Sequence, residues 1–133
     1  MPVYTLTSDR TAMAQALITA WGSGVKLKAY DGAMPTDLGT PAGVLLATFT
    51  NAGSIGSAAS GAITLDVAGF AQTNSSHVSG TPTFIRVTSS DDAARMDIPI
   101  GTGADEWEFT GAVVTGNDVA LPALSIAMPN ASV

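Results

Sequence analysis

The chain contains no cysteine, which excludes a disulfide framework, a thiolate metal site and a cysteine nucleophile. Charge is scarce as well, at 12% of residues against about a quarter in an ordinary domain. Only five residues are basic (Arg10, Lys26, Lys28, Arg86 and Arg95); they form no run, and the formal charge is −6. Nucleic-acid binding draws most of its affinity from neutralised phosphates, so an acidic chain without a basic cluster is a poor candidate for it. An anionic membrane surface is disfavoured for the same reason. No apolar run approaches the ~20 residues that span a bilayer. The opening MPVYTLTSDR has no basic segment leading into an apolar one, so no secretory signal is expected.

What the chain does have is small residues. Alanine, glycine, serine and threonine make up nearly half of its 133 positions, and mean hydropathy is +0.32. One domain, residues 1–133, is expected, and a chain of this length buries roughly two-thirds of its unfolded surface. Few charges with positive hydropathy make a poor free surface. Either threonine and serine on outward strand positions keep it soluble, or an assembly covers much of it.

One segment reads as a helix, over about residues 8–21. Thr7 or Ser8 is the expected N-cap, Asp9 complements the positive helix end, and Gly22 and Gly24 stop it. Met13, Ala16, Leu17, Ala20 and Trp21 recur at the helical period and define the expected buried stripe. Strands account for most of the rest. VKLKAYDG alternates, with Val25, Leu27 and Ala29 on one face and Lys26, Lys28 and Tyr30 on the other, and ends in an Asp-Gly turn. VLLATFT (44–50) is a compact apolar strand, and ITLDVAGF opens another. TFIRVTSS and ARMDIPI flank a turn, with Pro99 favouring a sheet edge. A short strand is expected within EWEFTGAVVTGND, and the last within VALPALSIAMP. The segments 31–43, 51–61 and AQTNSSHVSGTP read as loops. The pattern is mainly β: a single β-sandwich or barrel-like domain of short antiparallel strands with one N-terminal helix.

The candidate chemistry is thin. SSDDAA supplies turn residues, so a hairpin accounts for Asp91 and Asp92 and sets Arg86 opposite Asp97 as an exposed cross-strand pair of ~1 kcal/mol or less. DDAARMD lacks the alternating oxygen ligands of a calcium loop, and Asp105 and Glu106 have no further ligands beside them. His77, the one histidine, is expected to be solvated in its loop; no Gly-x-Ser-x-Gly elbow surrounds a serine that could work with it. GSIGSAASG and GTGADEW lack the features of phosphate-binding loops. Trp21 belongs to the helix stripe, and Trp107 is either buried on a strand or part of a sugar-stacking platform. No catalytic residue, metal or cofactor is expected.

The order of elements carries a resemblance. The N-terminal helix followed by KLKAYDGAMP, then GVLLATFT, a small-residue loop, GTPTFIRVTSSDDAARMDIPIG and the closing VTGNDVALPALSIAMP resembles the small virion proteins of tailed bacteriophages that act as capsid decoration (cement) proteins. That family pattern usually has a glycine in the hairpin turn after the aspartate, where this chain has DDAA. The resemblance implies a structural, non-enzymatic protein, made in the bacterial host cytoplasm and placed on the capsid exterior. There it would associate with itself as a trimer and bridge subunits of the major capsid protein. The expected contacts are an extended arm over residues 1–7, with Pro2, Val3 and Tyr4, and the loops 31–43 and 51–61, with Met34, Pro35, Leu38 and Ile55. A tail or baseplate component and a carbohydrate-binding β-sandwich module are the competing readings.

Overall fold

The computed structural model describes residues 6–101, 107–108 and 112–128. The expected Pro2, Val3 and Tyr4 contacts and the acidic pair Asp105 and Glu106 lie outside these residues. The described part is mainly β, with eight strands in two antiparallel sheets and one N-terminal helix, α1 (Thr7–Trp21). The strands are β1 (Lys26–Tyr30), β2 (Leu45–Asn51), β3 (Gly56–Ala59), β4 (Ala62–Leu65), β5 (Phe70–Gln72), β6 (Phe84–Thr88), β7 (Ala94–Pro99) and β8 (Ser125–Ala127). One sheet runs β5-β2-β1-β6-β7 and the other β3-β4-β8, and the described residues form no closed barrel. Among the described residues no helix is long and apolar enough to cross a membrane.

Alternation sets the large sheet. Val25, Leu27 and Ala29 point inward from β1 and are fully buried, as expected, while Lys26, Lys28 and Tyr30 point outward. β6 is buried on both faces, because the inward Ile85 and Val87 meet the core and the outward Phe84, Arg86 and Thr88 are covered as well. β7 lies at the end of the strand order, the position expected from Pro99. On β2 the register skips Leu46 between the pairs Ala29–Ala47 and Tyr30–Leu45, a bulge that turns the buried Leu46 toward Gly80. The core joins Leu27, Phe49, Ile85 and Val87 of this sheet to Ile63 and Leu65 of the small sheet. Ala14, Ile18 and Trp21 from α1, and Trp107 and Val113 from the closing segment, complete it.

Several expectations need correction. The buried stripe of α1 is Ala14, Ile18 and Trp21 with Leu17 partly buried, whereas Met13, Ala16 and Ala20 face outward. Apolar residues surround this helix, so periodicity alone does not select a face; contact with β3 and β4 does. The helix begins one residue early, after Leu6, and no side chain caps it. Thr7 is inside the helix instead, its carbonyl accepting from the Thr11 hydroxyl at 2.9 Å and its own hydroxyl accepting from Arg10 at 3.2 Å.

The segment 51–61 is not simply a loop. It forms β3 and a hairpin whose two turn residues, Ser60 and Gly61, both have positive φ (51° and 76°), the conformation of a type I′ turn. Gly56 is required there, since a Cβ would come within 1.9 Å of the Thr64 carbonyl oxygen. Ile55 is 0% exposed and lies in the core, so it is not available as a partner contact. In the closing region Val113 forms only an isolated bridge to Gly80, and the last strand shrinks to Ser125–Ala127.

The corrected helix face gives a direct test. Ile18→Ala should cost about 2–5 kcal/mol in guanidinium unfolding, whereas Met13→Ala should stay within ~0.5 kcal/mol. Equal losses would restore the original stripe.

Candidate functional site

The outward face of the large sheet gathers what the sequence scatters. Cross-strand register sets Lys26 between Thr50 and Thr88, Lys28 between Thr48 and Arg86, and Tyr30 between Leu45 and Phe84. Asp97 and Pro99 extend these rows on β7. Tyr30 and Phe84 stack with ring centroids 5.4 Å apart and planes 11° from parallel.

Arg86 and Asp97 are opposite one another, as expected, but they are not exposed: their side chains are 8% and 6% accessible. The guanidinium donates from Nε to Asp97 Oδ1 at 2.8 Å and from Nη2 to Oδ2 at 2.9 Å, a bidentate fork. Nη2 also donates to the Gly39 carbonyl at 2.7 Å. The hydrogen bond to Asp97, outweighing burial, raises Arg86 above an already high ordinary pKa. One side chain therefore joins two strands and the loop 31–43.

That loop crosses the outer face as a braced strap. At its base Val44 N–H donates to Asp31 Oδ1 at 2.6 Å, and Asp31 N–H donates to the Val44 carbonyl at 3.2 Å. Gly43 fits against Asp31, where a Cβ would lie 1.9 Å from the carbonyl oxygen. The Thr83 hydroxyl donates to the Gly32 carbonyl, and a 3-10 turn, Thr36–Leu38, packs against β7. In this turn Asp37 and Leu38 both take left-handed φ (51° and 57°), at a typical cost of ~1–3 kcal/mol per strained residue. Of the expected contact residues, Met34 and Leu38 are exposed (43% and 38%) and Pro35 is half-buried. Val44 and Leu45 are exposed where the chain re-enters the sheet.

At the other end of the face is the hairpin turn 89–93. Asp92 adopts φ 65°, supplying the left-handed conformation for which a glycine is the usual residue. Its Oδ1 accepts from Lys26 Nζ at 2.9 Å and stands 3.0 Å from Lys28 Nζ. Lys26 first, then Lys28, lowers the Asp92 carboxyl to about 2. The Ser89 hydroxyl and the Ala93 N–H hold Asp91 below its ordinary value in the same turn.

His77 is buried rather than solvated. Its Nδ1 lies 3.1 Å from the Asn117 carbonyl, which can only accept, so Nδ1 carries the proton; Nε2 is buried without a partner among the described residues. The residue borders a groove of about 430 Å³ beside β2 and β5, lined also by Thr48, Thr50, Gln72 and Ser76. Among the described residues no serine hydroxyl bonds to its ring, and no group of acids or histidines could hold a metal. Trp107 is 1% exposed, with its indole N–H donating to the Pro122 carbonyl at 3.2 Å, so the sugar-stacking platform is inside the core. Sequence reasoning missed the strap; the Gly-Pro density of 31–43 marks a loop without showing that it folds back.

Comparison with protein-family models, curated proteins and solved structures found no match for this chain.

Two outcomes are expected. Asp97→Ala leaves the Arg86 charge buried and unpaired, and should lower stability by about 3–5 kcal/mol in urea unfolding while exposing 31–43 to limited proteolysis. A small loss with an intact loop would show that the pair is dispensable. Asp92 in turn stabilises the fold at pH values above its unfolded pKa of ~3.9, and that contribution fades as pH falls toward about 2. Carboxyl NMR should find Asp92 titrating near that value, and Lys26→Ala should move it upward.

Proposed function

We propose that this chain is a structural virion protein that decorates the outside of a tailed-phage capsid, associating with itself as a trimer and bridging neighbouring major capsid protein subunits. The observation carrying the proposal is the braced strap, a loop held by a buried ion pair that displays Met34 and Leu38 to the outside. A pre-ordered surface loses little conformational freedom on docking, which favours adhesion. Exposed Met34, Leu38, Val44 and Leu45 on a chain with few charges suit an interface whose core is apolar and poor in charge. Contacts of this kind, individually weak, become strong when repeated over a symmetric shell.

The test is docking to expanded, empty heads of the phage that encodes the chain. Purified protein should cosediment with expanded heads, and Met34→Asp with Leu38→Asp should weaken docking at least ~10-fold without altering the circular dichroism spectrum. Cosedimentation no better than with unrelated heads, or docking untouched by both substitutions, would remove the proposal.

A further inference from the structure

A groove opens where the chain leaves the edge of the large sheet and returns to it. The β2–β5 ladder ends at the pair Phe49–Gln72. Beyond it comes a 3-10 turn, Asn74–Ser76, in which Ser76 N–H donates to the Thr73 carbonyl at 3.0 Å. Val78 N–H then ties the chain back to β2, donating to the Leu46 carbonyl at 2.9 Å. The groove of about 430 Å³ lies along the gap between these two ties. β2 contributes Thr48 and Thr50 to its lining, the returning segment contributes Thr73 and Ser76, and Ala47 and Ala71 add apolar surface. Among the described residues no lysine, arginine, aspartate or glutamate lines it.

His77 completes the lining and is 3% exposed. Its ring is fixed by Nδ1–H donating to the Asn117 carbonyl at 3.1 Å and by the Phe49 ring, whose centroid is 6.3 Å away. Gln72 is already engaged, donating to the Val119 carbonyl at 2.8 Å and accepting from Val119 N–H at 3.0 Å. What the groove offers a ligand is therefore its hydroxyls and the Nε2 lone pair, which is buried without a partner among the described residues. A buried acceptor without a donor is destabilising, and a ligand that supplies the donor removes that penalty. Nε2 is closed to solvent, so the donor reaches it through a small outward shift of the segment 73–76, where Thr73 and Ser76 are exposed. Local adjustment of this size is common on binding.

We propose that this groove binds a small neutral sugar, with one sugar hydroxyl donating to His77 Nε2. A carboxylate would set acceptors against an acceptor, with no cation in the lining to pair it. An ammonium could donate, but its charge would be partly buried with no carboxylate beside it. Sugar hydroxyls both donate and accept, as the threonine and serine hydroxyls do, and the C–H faces of a sugar ring suit Ala47 and Ala71. The volume falls within the range of about 300–1,000 Å³ typical of small-molecule sites. Besides the imidazole no aromatic ring lines the groove, so hydrogen bonds carry the binding and millimolar affinity is expected. The site goes beyond capsid docking and shares only Leu45 with the surface assigned to it.

The chain has a single histidine, so its imidazole nitrogens give unambiguous NMR signals. Glucose, galactose and mannose, titrated into the isotope-labelled full chain at fixed pH, should move the Nε2 signal saturably in at least one case. The uronate and the amino sugar of the same ring should bind at least ~10-fold more weakly. Thr48→Val keeps the side-chain shape and loses the hydroxyl, whereas His77→Phe keeps a ring and loses the acceptor. Each should lower affinity ~10-fold in ligand-observed saturation-transfer NMR, with an unchanged circular dichroism spectrum. Should His77→Phe fail to fold, Thr48→Val and the Nε2 titration decide the matter together. An Nε2 signal moved by none of the three sugars, a charged analogue bound as tightly as its neutral parent, or affinity untouched by Thr48→Val would each overturn the proposal.

Discussion

The outer half of the molecule depends on one buried guanidinium. Arg86 sits on a strand covered on both sides, and its planar fork holds β7 through Asp97 and the strap through Gly39. A lysine there would present one compact charge and could not make the two parallel bonds to the carboxylate. Desolvating both charges is costly, and a hydrophobic pair of the same shape would often serve stability as well. What the pair adds is position: strand register, loop placement and the cover over Phe84 are set together.

The two ion-pair groups of the same face, neighbours in register, use charge differently. Arg86 and Asp97 are buried and joined by a bidentate fork, with a further bond to Gly39, so they define shape. At the hairpin end Lys26, Lys28 and Asp92 remain in contact with water, where such bonds are weak singly and screened by salt. One row beyond Arg86, at the far end of β1, the Tyr30–Phe84 stack forms a surface with little charge. Met34, Leu38, Val44 and Leu45 stand exposed at the rim of this framework.

Much of the framework is legible from local pattern. The alternation of β1, the pairing of Arg86 with Asp97, the edge position of Pro99 and the glycine stop after Trp21 all follow from residue type and spacing. Three features are not legible. The face of α1 is hidden because its apolar residues lie on all sides, and only contact with β3 and β4 selects Ala14 and Ile18. The β3–β4 hairpin is hidden because glycine, alanine and serine have low strand propensity, while here their small size is what allows the close packing. The burial of Ile55 and His77 depends on distant segments: His77 is closed in by Asn117, forty positions away.

By itself, then, the sequence determined a mainly β chain, the positions of most of its strands, and the lack of any cysteine-based chemistry, because these follow from composition and from repeats of two or 3.6 residues. Tertiary structure alone decided which residues meet: Lys26 with Asp92 across 66 positions, Arg86 with Gly39 across 47. A strand's own pattern says which side chains share a face but not which strand lies beside it. The gathering of sparse basic residues on one face, with the strap tied to Arg86 among them, exists only once those pairings are made.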